Sequence, residues 1–441
     1  MNDWIERQFK LKERGTDVRT EITAGVTTFM TMAYIIFVNP DILSKAGMPF
    51  GALMVSTCLA AALGTFLMAF LANYPVALAS GMGLNAFFAF TVVLGMGVAW
   101  QTALAAVFVE GIIFIMLTFA KVRETVVNGI PMSLKHGISA GIGLFIAFIG
   151  FQGSGLVTSN AATLVGGAGL RGNIPAILTL LGLVIICSLE ALKVRGAILW
   201  GIIATTAIAI PSGAAKLPTA IVSMPPSIAP IFAKLDFSMI SLNLSDPAIA
   251  NFWVIVFTFF FVDFFDTVGT LVGVANRASL LDENGNLPKA REALLADAVG
   301  TSAGALLGVS TVTSFVESAS GIGVGGRTGL TALVTGTLFL LAVFFNPVIS
   351  VVPSCATAPA LIFVGVYMLM NIGNLDFSDW TEAMPAMIAI FAMPFTYSIA
   401  TGIEYGFISY VAVKITTGRA RSVSPIVFAL GALFLAKELL L

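Results

Sequence analysis

Apolar residues along this chain fall in long unbroken runs, with short polar breaks between them and no strict alternation. A helix needs roughly 20 such residues to cross a bilayer, whereas an outer-membrane barrel would show alternating strands of about 10. The pattern therefore predicts helical spans. Candidates lie near 21–44, 51–72, 77–96, 99–120, 135–152, 173–191 and 197–213. A polar, proline-rich stretch from Ser212 to Ala250 follows, and then 251–275, 291–308, 310–326, 328–350, 355–372, 382–394 and 396–414. A last apolar stretch, 423–440, is either a surface helix or a further span.

Seven segments on each side of one long loop suggest a duplication. Ala79-Ser80-Gly81-Met82-Gly83-Leu84 is echoed by Ala319-Ser320-Gly321-Ile322-Gly323-Val324, and Gly64-Thr65 by Gly300-Thr301. An odd number of spans per copy makes the second copy start from the opposite side, so the repeat is expected to be inverted. The fold class expected is an all-α polytopic membrane protein of about 14 segments in a 7+7 inverted repeat. Its expected parts are an N-terminal arm (1–20), a first repeat (21–213), an extracellular loop (214–250), a second repeat (251–414) and an amphipathic or apolar C-terminal segment (415–441).

Composition agrees: 58% of residues are hydrophobic and only 10% charged, against about 25% charged in a soluble chain. The basic residues test the topology. With the N-terminus in the cytosol, Arg7, Lys10, Lys12, Arg14, Arg19, Lys121, Arg123, Lys135, Lys193, Arg195, Arg277, Lys289, Arg291, Arg327, Lys414, Arg419 and Arg421 share the cytosolic side. Before the C-terminal stretch, only Lys45, Arg171, Lys216 and Lys234 fall outside, as the positive-inside rule asks. This places the chain in the cell (inner or plasma) membrane with both termini cytosolic. The first twenty residues lack the apolar core of a cleavable signal; Trp4, Ile5, Phe9 and Leu11 suggest a short amphipathic arm. No basic tract points to nucleic acid. Cys58, Cys187 and Cys355 have neither disulfide nor metal-ligand spacing and read as packing residues. No cofactor or metal is expected, and the lone His136, placed in a cytosolic loop, has no partner for catalysis.

The candidate chemistry lies in the few acids within apolar runs, which are costly there and mark transport pathways. Asp263 and Asp266 stand three residues apart, on one helical face, in a phenylalanine-rich helix that includes Phe259, and Thr267 and Thr270 continue the polar stripe. At least one of the two carboxyls is expected to be protonated or hydrogen-bonded. Glu317 lies in the Ser- and Gly-rich run Ser314–Gly321, which reads as an extended piece followed by a half-helix aimed at the midplane. The matching place in the first half holds Asn85, after Ser80-Gly81-Met82-Gly83-Leu84. Two broken segments at corresponding positions point to a transport site between them. Glu110 is a weaker candidate, with structural bonding at least as good a reading as a functional one; Glu190 reads as interfacial, and Glu404 fits either role. Carboxyls, an amide and phenylalanines suit a flat, neutral heterocycle, whose NH edges donate to acids while its ring meets aromatic faces. A carboxyl can also pass a proton, and no nucleophile–base pair suggests an enzyme. A cation channel built on an acidic ring is the alternative of a different class.

At these residues the chain resembles the AzgA-like purine permeases, a branch of the nucleobase–cation symporter and nucleobase–ascorbate transporter superfamily. The resemblance rests on Thr20–Phe29, Ala33–Pro40, Gly81–Ala86, Asp263–Thr270 and Glu317–Gly329. It implies fourteen spans, a core domain moving against a gate domain, and often a homodimer. It also implies proton-coupled uptake of guanine, hypoxanthine or adenine, with the guanine/hypoxanthine group the better match. An adenine-preferring permease and a uracil- or xanthine-type carrier are the alternatives. Carried over by position, Asn85, Asp263 and Glu317 would bind substrate and Asp266 would support transport; beside them Ala86, Ser318 and Phe259 are expected at the substrate, and Thr267 with Asp266 and Glu317 in proton coupling or its support. The superfamily motif Gln/Glu-Asn-x-Gly is altered here, with Ser318 in place of Asn and the glycine displaced to Gly321.

Overall fold

The computed structural model describes residues 2–120, 130–240, 247–278, 280 and 287–440. Lys121, Arg123 and residues 241–246 of the polar segment lie outside these, as does the side chain of Arg277. The helices of the first half are α1 (Asn2–Phe9), α2 (Val18–Met32), α3 (Ile35–Ser44), α4 (Phe50–Leu67), α5 (Met82–Ala86), α6 (Trp100–Ala120), α7 (Met132–Gly153), α8 (Ile174–Ala191) and α9 (Ala197–Ala209). The principal ones of the second half, leaving aside the single turn Asn346–Ile349, are α10 (Pro247–Arg277), α11 (Ala290–Leu307), α12 (Ser318–Gly323), α13 (Gly329–Ala342), α14 (Ser354–Leu369), α15 (Trp380–Thr396), α16 (Ile399–Thr416) and α17 (Pro425–Leu440). Strands β1 (Leu78–Ser80) and β4 (Val312–Ser314) precede α5 and α12, so each of the two segments is an extended piece followed by a half-helix. Among the described residues, eight helical stretches are long and apolar enough to cross a bilayer.

The helices sort into two bodies. One contains α2–α6, α10–α13, β1 and β4; the other contains α7–α9 and α14–α16. Contacts come in matched pairs. Helix α6 packs on α11 as α4 packs on α13, and α10 on α6 as α2 on α13. In the second body α7 packs on α15 as α8 packs on α14. Such swapping is what a two-fold relation between halves requires. The strands give its sense: β1 and β4 pair antiparallel, with Leu78 opposite Ser314, Ala79 opposite Thr313 and Ser80 opposite Val312. Equivalent strands that run antiparallel belong to inverted copies.

The repeated Gly-Thr dipeptides explain how the crossing is held. The Thr65 hydroxyl donates to the Leu78 carbonyl at 3.0 Å and accepts from the Leu78 amide at 2.9 Å. Thr301 does the same for Val312, at 2.8 Å and 3.2 Å. A Cβ on Gly300 would lie 3.4 Å from the Gly64 Cα, so these glycines let α4 and α11 meet backbone to backbone beneath the strands. The second body repeats the device, since a Cβ on Gly143 of α7 would lie 2.5 Å from the Gly365 carbonyl of α14.

Several sequence expectations are refined. The N-caps of the two half-helices are Gly81 and Glu317, so Asn85 lies one turn inside α5 and is not the counterpart of Glu317. The Ala-Ser-Gly echo is thus a few residues out of structural register: Ala79 and Ser80 lie in β1, whereas Ala319 and Ser320 lie inside α12. His136 lies in the first turns of α7, not in a loop. Cys58 and Cys355 are buried, whereas Cys187 faces outward from α8. A hairpin of β2 (Val157–Asn160) and β3 (Leu164–Gly167), exposed and without an apolar face, joins α7 to α8 and was not legible as strands. The polar segment after α9 lies across one end of the first body: the Ala233 amide donates to Leu306, and the Thr102 hydroxyl to Asp236 at 2.9 Å. The N-terminal arm docks through Phe9 and Leu11 onto Ala69, Leu330 and Ala332. The C-terminal stretch forms α17, which buries Phe434 between Phe257 and Phe407 and pairs Lys437 with Glu404 at 2.6 Å.

Candidate functional site

The site is built where the two extended pieces cross. Each strand is only three residues long and both faces are buried, so the backbone is satisfied by the partner strand and by the threonine hydroxyls below it. Irregular backbone at membrane depth is tolerated only inside protein or beside a cavity. The chain turns from strand to half-helix at Gly81, where an added Cβ would lie 2.7 Å from the Thr313 methyl. The opposite turn carries Glu317 instead, and its carboxyl is thereby projected beside the crossing.

Glu317 accepts a 2.5 Å hydrogen bond from the Tyr34 hydroxyl, which reaches it from the link between α2 and α3. Asp266 of α10 lies within electrostatic reach of Glu317, and its carboxyl is hydrogen-bonded to the Thr313 side chain. Asp266 is partly exposed while Asp263, one turn earlier, is fully buried. The two acids therefore share a helix face but not an environment. Asp263 turns toward Glu110 of α6 and Asp297 of α11; no N–H or hydroxyl group donates to either of its oxygens, and the neighbour within hydrogen-bonding reach is the Glu110 carboxyl. Thr267 donates to Asp297 at 3.0 Å and lies 2.7 Å from the Thr313 hydroxyl, linking α10, α11 and β4.

The other candidates are placed as follows. The Asn85 carbonyl oxygen accepts from the Ser80 hydroxyl at 2.7 Å and from that of Ser310. Asn85 thus ties the two crossing segments together and keeps amide N–H capacity beyond its 3.4 Å bond to the Ser80 carbonyl. The Ser318 hydroxyl accepts from the Ala77 amide at 3.0 Å, another tie between the copies. Ala86 is buried in α5, and Phe259 is buried against Phe87 (ring centroids 4.8 Å apart) and Phe88.

Sequence reasoning passed over Asp297 and left Tyr34 inside a motif. Asp297 had the same signal as Glu110, a single acid in an apolar run, Leu294-Leu295-Ala296-Asp297-Ala298. Nothing local marks Tyr34, because its partner is 283 positions away. Glu404 is resolved by its ion pair with Lys437, and Glu190 is exposed. Glu21 is structural: its carboxylate accepts from the Arg327 and Thr328 amides and the Thr328 and Thr331 hydroxyls, capping the start of α13.

Comparison with known proteins agrees with this geometry. Residues 19–405 match the permease family Xan_ur_permease. The adenine permease AdeP of Escherichia coli is 45% identical over 433 residues, 98% of this chain and 95% of that protein. The guanine/hypoxanthine permease PbuG of Bacillus subtilis is 45% identical over 439 residues, 97% of this chain and 98% of that one. The transmembrane domain of the cyanobacterial bicarbonate transporter BicA shares the fold, with a TM-score of 0.64 at 14% identity over 88% of this chain and 97% of that one. A crossing of half-helices flanked by acids is thus carried on the inverted repeat of a multi-pass membrane protein, and the chain belongs to the Xan_ur_permease family of permeases.

Proposed function

We propose that this protein takes up a purine nucleobase by alternating access, guanine or hypoxanthine in preference to adenine, and couples that uptake to protons. The observation that carries the reading is the meeting of Glu317, Asp266 and Tyr34 at the crossing of the half-helices. Two adjacent acceptor carboxyls suit the N–H edge of a neutral heterocycle, with two bonds giving specificity. A bicarbonate-like anion would meet like charge there. Asp263 supports the site from behind, Asn85 and Ser318 fix the crossing, and Ala86 and Phe259 shape the space beside it. Asp266, Thr267 and Glu317 link that space to the proton. The adenine and the guanine/hypoxanthine relatives stand at the same 45% identity, so competition must rank the purines.

In this reading α2–α6 with α10–α13 form the core and α7–α9 with α14–α16 the gate, fourteen spans in all. Residues 1–20 and 415–441 face the cytosol and 214–250 the outside of the cell membrane, as the basic residues favour. A homodimer belongs to the same proposal, on the family resemblance alone. The test is uptake of labelled hypoxanthine into proteoliposomes under an imposed pH gradient, with guanine, adenine, uracil and xanthine as competitors. Saturable, gradient-driven uptake blocked by guanine is expected, and Glu317→Gln should abolish it. Competition by uracil alone would refute the purine reading, and wild-type accumulation in Glu317→Gln would remove that residue from the mechanism.

A further inference from the structure

Behind the crossing, three helices of the first body converge and each brings one acid: Glu110 on α6, Asp263 on α10 and Asp297 on α11. Their approach is fixed by packing. Phe114, one turn after Glu110, holds Phe260 and Phe264 of α10 edge-on at 5.8 and 5.7 Å, and these two rings flank Asp263 in sequence. Gly111 lets α6 close on α11, since a Cβ there would lie 2.4 Å from the Ser302 hydroxyl and 3.2 Å from the Ala298 carbonyl, next to Asp297. Asp297 is engaged by the Thr267 hydroxyl. Glu110 differs. It is fully buried, no N–H or hydroxyl group donates to either of its oxygens, and its carboxyl lies within hydrogen-bonding reach of that of Asp263, which likewise receives no such donor.

Two adjoining carboxyls in an apolar interior cannot both carry charge without a cation or a proton. No ion pair among the described residues involves either of them. Buried Lys414 and half-buried Lys437 are committed elsewhere, to Glu382 and Glu404, in helices outside this body. The titratable groups facing the pair are Asp297 from α11 and Asp266 from α10; both are acids and add to the need for a proton. No set of three His, Cys, Asp or Glu among the described residues is disposed to hold a metal ion.

We propose that Glu110 and Asp263 form a carboxyl pair that binds the transported proton, one layer behind the groups that meet the purine. The proton arrives from water, is held between the two carboxyls and returns to water, with no heavy-atom bond changed. Asp266 lies within electrostatic reach of Asp263 and of Glu317, so the charge of the pair is felt where substrate docks. This rests on the proton-coupled reading above and deepens it by naming the proton's site.

The experiment uses the full-length protein in proteoliposomes and compares Glu110→Gln and Glu110→Asp with the unaltered protein. Gradient-driven accumulation of hypoxanthine is measured beside hypoxanthine exchange at equal pH, which needs no net proton movement. Glu110→Gln should lose accumulation by roughly tenfold or more and flatten the pH dependence of uptake while exchange continues. Glu110→Asp, which keeps a carboxyl, should retain accumulation with a displaced pH profile. Wild-type accumulation and pH profile in Glu110→Gln would overturn the proposal. So would equal loss of exchange and accumulation in both variants, which would make Glu110 structural, or uptake driven by a sodium gradient alone. Should Glu110→Gln fail to reach the membrane, infrared pH titration of the unaltered protein and Glu110→Asp decides. A protonated-carboxyl band that titrates and moves in Glu110→Asp is expected, and no such band would sink the idea. Absence of any hypoxanthine exchange by the unaltered protein would refute the purine reading instead, and the infrared titration, which needs no substrate, would still test the pair.

Discussion

Tyr34 shows what one side chain contributes to this site. Its hydroxyl, buried at the α2–α3 link, is the donor that holds the Glu317 carboxylate in a single orientation. Removing it leaves the acid present but free to turn, so substrate must order it on binding, at about 0.5–1.5 kcal/mol for one side chain. Tyr34→Phe is therefore expected to weaken hypoxanthine binding by roughly two- to tenfold, read as a dissociation constant on purified protein. An unchanged constant would mean that Glu317 is held by something else. Glu317 itself was legible in the sequence, because an acid in an apolar run is costly and rare. Tyr34 was not, because a tyrosine in an apolar helix is ordinary and its partner comes from the other half of the chain.

Among the elements, the short half-helix α12 depends on how closely it lies on α2. At Gly321 a Cβ would stand 2.1 Å from the Thr28 hydroxyl and 2.6 Å from the Ala24 carbonyl. Backbone cannot yield as a flexible side chain would, so Gly321→Ala should cost about 1–3 kcal/mol through overpacking and displace Glu317 at the N-terminus of the same helix. We expect a lower Tm and a loss of uptake. Gly323→Ala is the control two residues on, since a Cβ there meets nothing within 4 Å. Equal effects of the two would argue against tight docking of α12. The sequence marked this segment as broken, from its Ser and Gly content, yet placed its echo in α5 a few residues out of register. Composition says that a helix is interrupted; the N-cap is settled only once the strands have paired.

Across the whole molecule, the two bodies meet through few polar contacts, and Asp41 makes the clearest. From α3 in the first body, its carboxylate accepts from Ser354 at 3.1 Å and Thr357 at 2.9 Å in the first turn of α14. The N-cap residue of α14, Pro353, has no side-chain cap of its own. Asp41 thus holds the start of a helix of the opposite body through two side-chain hydroxyls, each hydrogen bond typically worth ~0.5–1.5 kcal/mol or somewhat more to a charged group, and both must break if the bodies separate at this end. Asp41→Ala should shift the conformational balance several-fold toward separation. The adjacent Cys355, now buried, would then react faster with a membrane-impermeant maleimide, in a Cys187→Ser background. Unchanged labelling would show that the bodies stay joined at Asp41.

Which parts were written in the chain follows from the range of the forces involved. Long apolar runs, their number on each side of the polar segment, the bias of basic residues and the buried acids are local properties, set by the cost of placing polar groups in lipid. They carried the span pattern, the inverted repeat and the candidate acids Asp263, Asp266 and Glu317. The division into two bodies, the bonds from Asp41 to Ser354 and Thr357, the Tyr34–Glu317 bond and the separate surroundings of Asp263 and Asp266 required the tertiary structure. Each depends on segments far apart in the chain, brought together by close backbone packing at Gly64, Gly300, Gly143 and Gly365, and no local pattern of polarity specifies which helix a small residue will face.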